Sequence, residues 1–297
     1  MHRNLGLTIV GIAITAVALG QVKRQFSVED GPEFKTVKLQ IRANSGTCFI
    51  KPSHNTEILN VFSNQDTESY SHQFKKVIKD DICELNLSLE ESRTDGFGQS
   101  ISYKVFGSEK SGSGKFWKMY LTDAKPYMLE LNYDLGDAHI DLSGLYIKTL
   151  KINTGSADVN VGYFSGLENH ITMDTFYVKV DLGSMNARSL SLAKAKTVIA
   201  DVGFGNVMLD FSNGSLITKN VKGSVGAGNL VILLPSDETP VHIKIKDSWL
   251  CSVRMPKELK KVSENTFCND AYTKNQSGTL AFDLDVSMGN IIFKGGN

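Results

Sequence analysis

The sequence predicts an all-β protein, a β-solenoid of the single-stranded β-helix kind with repeats of about 20 residues and irregular β flanks. Three observations lead there. Apolar residues alternate at period two through most of the chain, as half-buried strands require. Glycines recur at similar spacing, and at each one the alternation changes parity, as in "NTGSADVNV", residues 153–161. The apolar columns on either side of those glycines return in chain order, which an antiparallel sandwich, the competing all-β arrangement, has no need to do.

The chain opens with His2 and Arg3 before an apolar run, Leu5 to Leu19, that closes on small residues at Ala18 and Gly20. This pattern reads as an export signal over residues 1–20, cut before Gln21. The run is shorter than the roughly 20 residues a bilayer core needs, which weighs against a retained anchor. At 297 residues, 41% hydrophobic and with zero formal net charge, the chain can bury a large core or two smaller ones. It has no basic excess to attract nucleic acid or an anionic membrane.

Residues 21–125 form an N-terminal β region. The grammar of the array appears first at Ile41, Ala43, Asn44, Gly46, Cys48 and Ile50, and a more polar stretch follows. Strands are expected at "ICELNLSLE" and "ISYKVF", joined as a hairpin extension by "ESRTDGFGQS".

The central array is expected over residues 126–246. Its corners are placed at Gly136, Gly155, Gly183, Gly203 and Gly226, which lie 19, 28, 20 and 23 residues apart, with Gly289 closing the series near the end. Five residues before the five central glycines stand Leu131, Leu150, Val178, Val198 and Val221; four after them stand Ile140, Val159, Ala187, Val207 and Leu230. A one-residue parity shift keeps both apolar sets on one core only if the glycine makes a bend, a role that suits its access to positive φ. Asp134, Asn153, Asp181, Asp201 and Ser224 precede the corners by two and are expected to close them as Asx or Ser turns. The longest gap holds "GYFSGLENHITMDTF", read as an inserted loop or partial strand.

Residues 247–297 are expected to leave the array in an excursion that covers the open end and to finish in a last strand. Four cysteines in an exported chain suggest two disulfides, for which three connectivities exist. The pairing expected is Cys48 with Cys83 and Cys251 with Cys268, since Cys48 and Cys83 share parity with inward apolar residues; buried free thiols are the alternative.

Motifs for chemistry are sparse. "GSEKSGSGKF" lacks the first glycine and the final Ser or Thr of a phosphate loop, and no nucleophile elbow, zinc helix or dinucleotide fingerprint occurs. Asp137, His139 and Asp141 share an outward strand face and could hold a metal or act as acid and base, yet a solvated face explains them. Asp134, Asp181 and Asp201 could stack as an acidic column able to attract calcium or serve a polysaccharide-cleaving enzyme; turn capping explains them as well. No catalytic residue, resident metal or cofactor is expected.

The repeats "LELNYDLGDAHIDLSGL" and "LKINTGSADVNVGYF" resemble the toast-rack and putative-adhesin (DUF4097-like) families of bacterial envelope proteins, over about Tyr127 to Pro235. The resemblance implies the solenoid fold and supplies no catalytic residues. The expected function is a non-enzymatic, exported binding or scaffold module, periplasmic or at the cell surface, with a protein or glycan partner on an outward face. The alternatives are a carbohydrate-active β-helix enzyme using outer-face aspartates and a sensor subunit working through a membrane partner.

Overall fold

The computed structural model describes residues 22–65, 70–91, 114–213 and 218–295. The N-terminal apolar run, residues 1–20, and the stretch 92–113, including "ISYKVF", lie outside them. Among the described residues, twenty-three strands follow in chain order. They are β1 (Lys23–Glu29), β2 (Thr36–Ala43), β3 (Thr47–Ser53), β4 (Glu57–Ser63), β5 (Tyr70–Lys79), β6 (Ile82–Glu91), β7 (Phe116–Thr122) and β8 (Tyr127–Tyr133). The array continues with β9 (Asp137–Asp141), β10 (Ile147–Thr154), β11 (Asp158–Gly162), β12 (Met173–Val180), β13 (Ser184–Arg188), β14 (Ala195–Val202), β15 (Asn206–Asp210), β16 (Asn220–Val225) and β17 (Asn229–Leu233). It ends with β18 (Val241–Asp247), β19 (Ser252–Arg254), β20 (Lys260–Ser263), β21 (Thr266–Cys268), β22 (Leu280–Val286) and β23 (Asn290–Lys294); a short helix, α1 (Asp270–Lys274), precedes β22.

The strands form two sheets facing one core, as the sequence predicts for a solenoid. One sheet of 12 strands runs β20-β21-β18-β22-β16-β14-β12-β10-β8-β2-β6-β5, and the other of 11 strands runs β1-β4-β7-β3-β9-β11-β13-β15-β17-β23-β19. From β8/β9 to β16/β17, and in β2/β3 and β22/β23, each coil is one strand of the 12-stranded sheet, a three-residue corner and one strand of the 11-stranded sheet. Successive coils pair in parallel, with Ile152 opposite Leu131 and Val178, and Val159 opposite Ala138 and Met185. The inward columns are closed to water: Leu131, Ile152, Val178 and Ala200 on one side, Ala138, Val159, Met185 and Val207 on the other. Alternation of side chains across each strand puts those residues inside. Ladder bonds between equivalent residues span 21, 26 and 23 positions at Asn132–Asn153, Asp158–Ser184 and Asp201–Ser224.

The corners differ from the expectation in register. Val180 opposes Thr154 and Val202, so the stacked corner triplets are 155–157, 181–183, 203–205 and 226–228. Gly136, Gly183 and Gly289 are third in their triplets, whereas Gly155, Gly203 and Gly226 are first. The two-residue slide preserved parity, which is why the inward assignment survived it. The glycines also act for a different reason. Only Gly46 and Gly136 of the seven have positive φ, 94° and 109°. At the third position of the later corners, though not at Ala157, a Cβ would meet the carbonyl of the previous coil, 1.9 Å from Ala157 O at Gly183, 2.3 Å from Gly183 O at Gly205 and 2.2 Å from Gly205 O at Gly228. Close approach of two backbones selects glycine there.

Among the described residues, Asp181 and Asp201 do not close their corners as Asx turns, since their carboxylates meet Lys179, Tyr177 and Ser224. Backbone bonds between coils close them: Gly203 N donates to Val180 O at 2.8 Å, Phe204 N to Asp181 O at 2.8 Å and Asn206 N to Gly183 O at 3.0 Å. Aspartate turns occur at the opposite edge, where Asp141 and Asp210 accept from Ser143 N and Ser212 N at 3.0 and 2.9 Å.

The ends of the chain depart from sequential stacking. Coil β2/β3 lies between β6/β7 and β8/β9, and the last coil, β22/β23, lies between β16/β17 and β18/β19. The C-terminal excursion therefore supplies a coil of its own before the final residues fill the slot behind it. At the other end, "ICELNLSLE" is β6, parallel to β2, and its hairpin partner is β5, across a turn at Asp80 and Asp81.

All four cysteines are free thiols, which corrects the expected disulfides. Cys83 stands opposite Val37, six residues before the corner-side end of β2, while Cys48 stands just past that corner. The two lie at opposite edges of the core, roughly 20 Å apart at strand rise, beyond the reach of a disulfide. Cys251 packs against the main core, whereas Cys268 shares register with His242 and Lys260 on the outer side of its sheet, close to α1.

Candidate functional site

The corner geometry has a consequence at its middle residue. The first residue of each triplet offers its carbonyl to the next coil and the third is pressed against the coil before, so the middle side chain projects outward. The corner 155–157 carries Ser156 in the middle; from the next corner onward the middle residues are Leu182, Phe204, Ala227 and Met288, and the corner after those carries Trp249 and Leu250. Leu182 is 64% exposed, Phe204 71%, Met288 57% and Trp249 90%. Phe204 N, Ala227 N and Met288 N each bond the first residue of the preceding corner, at 2.8, 2.9 and 2.8 Å, so the side chains stand one coil apart. At roughly 4.8 Å per coil they make a continuous apolar ridge along one edge of the solenoid.

Beside the ridge, on the outer face of the 12-stranded sheet, lies an open groove of about 350 Å³ lined by Lys179, Asp181, Asp201, Ser224, Asp285 and Ser287. Strand register sets this row, since Lys179, Asp201, Ser224, Asp285 and Lys246 are successive neighbours across five coils. Asp201 accepts from Tyr177 Oη and Ser224 Oγ, both at 2.9 Å. Asp181 lies 3.4 Å from Lys179, and Asp285 lies 3.3 Å from Lys246. Partial burial, and then the neighbouring Asp201 carboxylate, push the Tyr177 phenol up to about 12, so it remains a hydrogen-bond donor at neutral pH.

The structure brings together two of the six candidate binding residues, Asp181 and Asp201. Asp134 stands two corners before Asp181, with Gly155 between them, so the acidic column does not form. Asp137, His139 and Asp141 lie on the outer face of the other sheet, across the core. His139 stacks on Phe49 with ring centroids 5.2 Å apart, and Asp141 Oδ1 is taken by Ser143 N and Oγ. Among the described residues no three His, Cys, Asp or Glu side chains converge to hold a metal ion.

Sequence reasoning missed the ridge, although a signal for it exists. The corners read "DLG", "GFG", "GAG" and "SMG", each with an apolar residue between two turn formers. Two glycines at i and i+2 in "GFG" and "GAG" also explain why the alignment could settle on the wrong one.

The family model described as the N-terminal domain of toast_rack, DUF2154, matches residues 18–183, more than half of the chain. That match begins well before the Tyr127 at which the sequence resemblance starts and ends inside the central array. No curated protein matches. Among solved structures, a putative cell adhesion protein from Clostridium sporogenes is similar over 93% of this chain and 100% of its own, at 15% identity and a TM-score of 0.44. A putative adhesin from Bacteroides fragilis is similar over 92% and 97%, at 14% identity and a TM-score of 0.40. A putative adhesin from Parabacteroides merdae is similar over 93% and 97%, at 11% identity and a TM-score of 0.33. By the extent of the family match, this chain belongs to the toast_rack N-terminal-domain family.

Proposed function

We propose that this protein is an exported, non-enzymatic solenoid of the cell envelope that serves as a binding or scaffold module, and that it engages a protein or glycan partner along the ridge and its neighbouring groove. The observation that carries the reading is the row Leu182, Phe204 and Met288, large apolar side chains held at stacked corners in water, with Trp249 exposed at the next corner. Contiguous apolar surface rimmed by polar groups costs solubility and marks an interaction site more often than chance exposure does. The aspartates, serines and lysines of the groove add directional partners beside it, an arrangement of apolar anchors and polar rim familiar from recognition surfaces. The apolar leader at Leu5–Leu19 supports export, and the sequence resemblance supports the envelope.

The test is retention of the purified protein on bacterial envelope fragments. The variant Leu182→Ser, Phe204→Ser, Met288→Ser should keep its melting temperature, since all three side chains are exposed, and lose at least tenfold in retention. Undiminished retention would remove the ridge from the reading. Release of new reducing ends or unsaturated sugars from polysaccharides, abolished by Asp181→Asn with Asp201→Asn, would overturn the non-enzymatic part.

A further inference from the structure

The last coil is held in a way that the others of the central array are not. Coil β22/β23 follows both of its neighbours in chain order, and it fills a slot with β16/β17 on one side and β18/β19 on the other. Both walls bond it along its length. Ala281 N donates to Lys219 O at 2.9 Å, Ser287 N to Val225 O at 2.9 Å and Asn290 N to Gly228 O at 2.9 Å; on the other side Leu280 N donates to Pro240 O at 2.9 Å and Ser252 N to Gly289 O at 3.1 Å. Inside, Leu280, Phe282, Leu284, Val286, Ile291 and Phe293 are buried in the common core. The link to the rest of the chain is slight. After α1, residues 275–278 are exposed and polar, "NQSG", and Gly278 turns at a φ of 72°.

A segment that contributes a whole coil, follows both of its walls in the chain and hangs on a short exposed linker meets the conditions for exchange between identical chains. We propose that residues 280–294 can complete the slot of a second copy of this chain, so that two molecules form a reciprocally coil-swapped dimer. The occupant is set by the slot itself: inward residues must match the columns Val221, Gly223, Val225 and Ile243, Ile245, and the corner must offer glycine against Gly228 O. Leu284 fits the space left by Gly223, whose Cβ would come within 2.9 Å of Leu284 Cδ2. This chain's own C-terminal coil meets those requirements in another copy as it does in its own. Six buried apolar side chains must leave the core for the slot to open, so exchange takes place during folding and is set by protein concentration at that moment.

The experiment places cysteines at Asn229 and Asn290, whose side chains meet across the slot wall with Asn290 Nδ2 2.7 Å from Asn229 Oδ1. The full chain carries Asn229→Cys, Asn290→Cys and Cys251→Ser, the last removing a partly exposed native thiol. It is unfolded and refolded at low and at high concentration, separated by size and treated with a short bis-maleimide. Refolding at high concentration should yield a dimer whose crosslinks join two chains, and refolding at low concentration a monomer crosslinked within one. A companion variant lacking Gln276 and Ser277, too short to close on itself, should shift at least tenfold toward the dimer at equal concentration. Absence of a dimer in both variants at every concentration would overturn the proposal. So would a dimer crosslinked only within chains, which would have formed through another surface.

Discussion

Gly183 shows how tightly the coils are drawn together. Its missing Cβ would sit 1.9 Å from Ala157 O, so Gly183→Ala should push two coils apart and lower stability by more than about 2 kcal/mol, read from the urea midpoint. Gly114→Ala is the control, since nothing lies within 4 Å of its Cβ position, and should leave the midpoint unchanged. Cys48 illustrates burial of a different kind. Enclosure in the core pushes its thiol up to about 12 from an ordinary 9.0, and burial raises Tyr127 to about 12 from 10.0. Both groups hold their protons more tightly folded than unfolded, so their contribution is intact below pH 9 and is lost as pH rises toward 12. Stability should therefore fall above pH 9, by up to about 1.4 kcal/mol per pH unit for each group once the unfolded form ionises. A flat alkaline profile in denaturant titrations at pH 8 to 11 would contradict the burial of Cys48.

At the scale of elements, parallel strands must be covered at both ends of the stack, and the two caps use similar chemistry. The free edges of the 12-stranded sheet are β5 and β20, both in antiparallel hairpins and both rich in lysine. Lys76 is telling because it opposes Leu85, a core residue, yet is exposed, with its ammonium 5.7 Å from the Phe34 ring. A charge on the core side of an edge strand blocks addition of another strand. Lys76→Val should thus raise aggregation, measured by light scattering over time at constant protein concentration, while leaving the secondary structure of the monomer intact. The same hairpins show what was legible beforehand. The strand "ICELNLSLE" is plain from its alternation, but the sequence points downstream to "ISYKVF" for its partner, because "YSHQFKKVIK" carries too few apolar residues at period two to announce an edge strand.

Over the whole molecule, one continuous core runs through the stacked coils of both sheets, from Val37 near one end to Val241 near the other. Damage to a central coil is therefore felt along the array. Val178→Asp would bury an unpaired carboxylate between Ile152 and Ala200, at a cost of several kcal/mol against a margin of roughly 5–15. It should abolish the cooperative melting transition or lower its midpoint by tens of degrees, as followed by circular dichroism. An unchanged transition would mean that the core is divided into independent parts.

The sequence alone determined the strands of the central array, their inward faces and the repeating corners, because side-chain alternation and glycine placement are local and survive a register slide of two residues. It could not determine which glycine of "GFG" or "GAG" meets its neighbour, since that depends on the carbonyl of another coil about 22 residues away. It could not place Asp201 beside Lys179 instead of below Asp181, keep the cysteines apart, or align Leu182, Phe204 and Met288 into a ridge. Nor could it foresee that the last coil slips between two earlier ones. Those outcomes rest on contacts between coils, and only the stacked tertiary structure brings the partners to the same height.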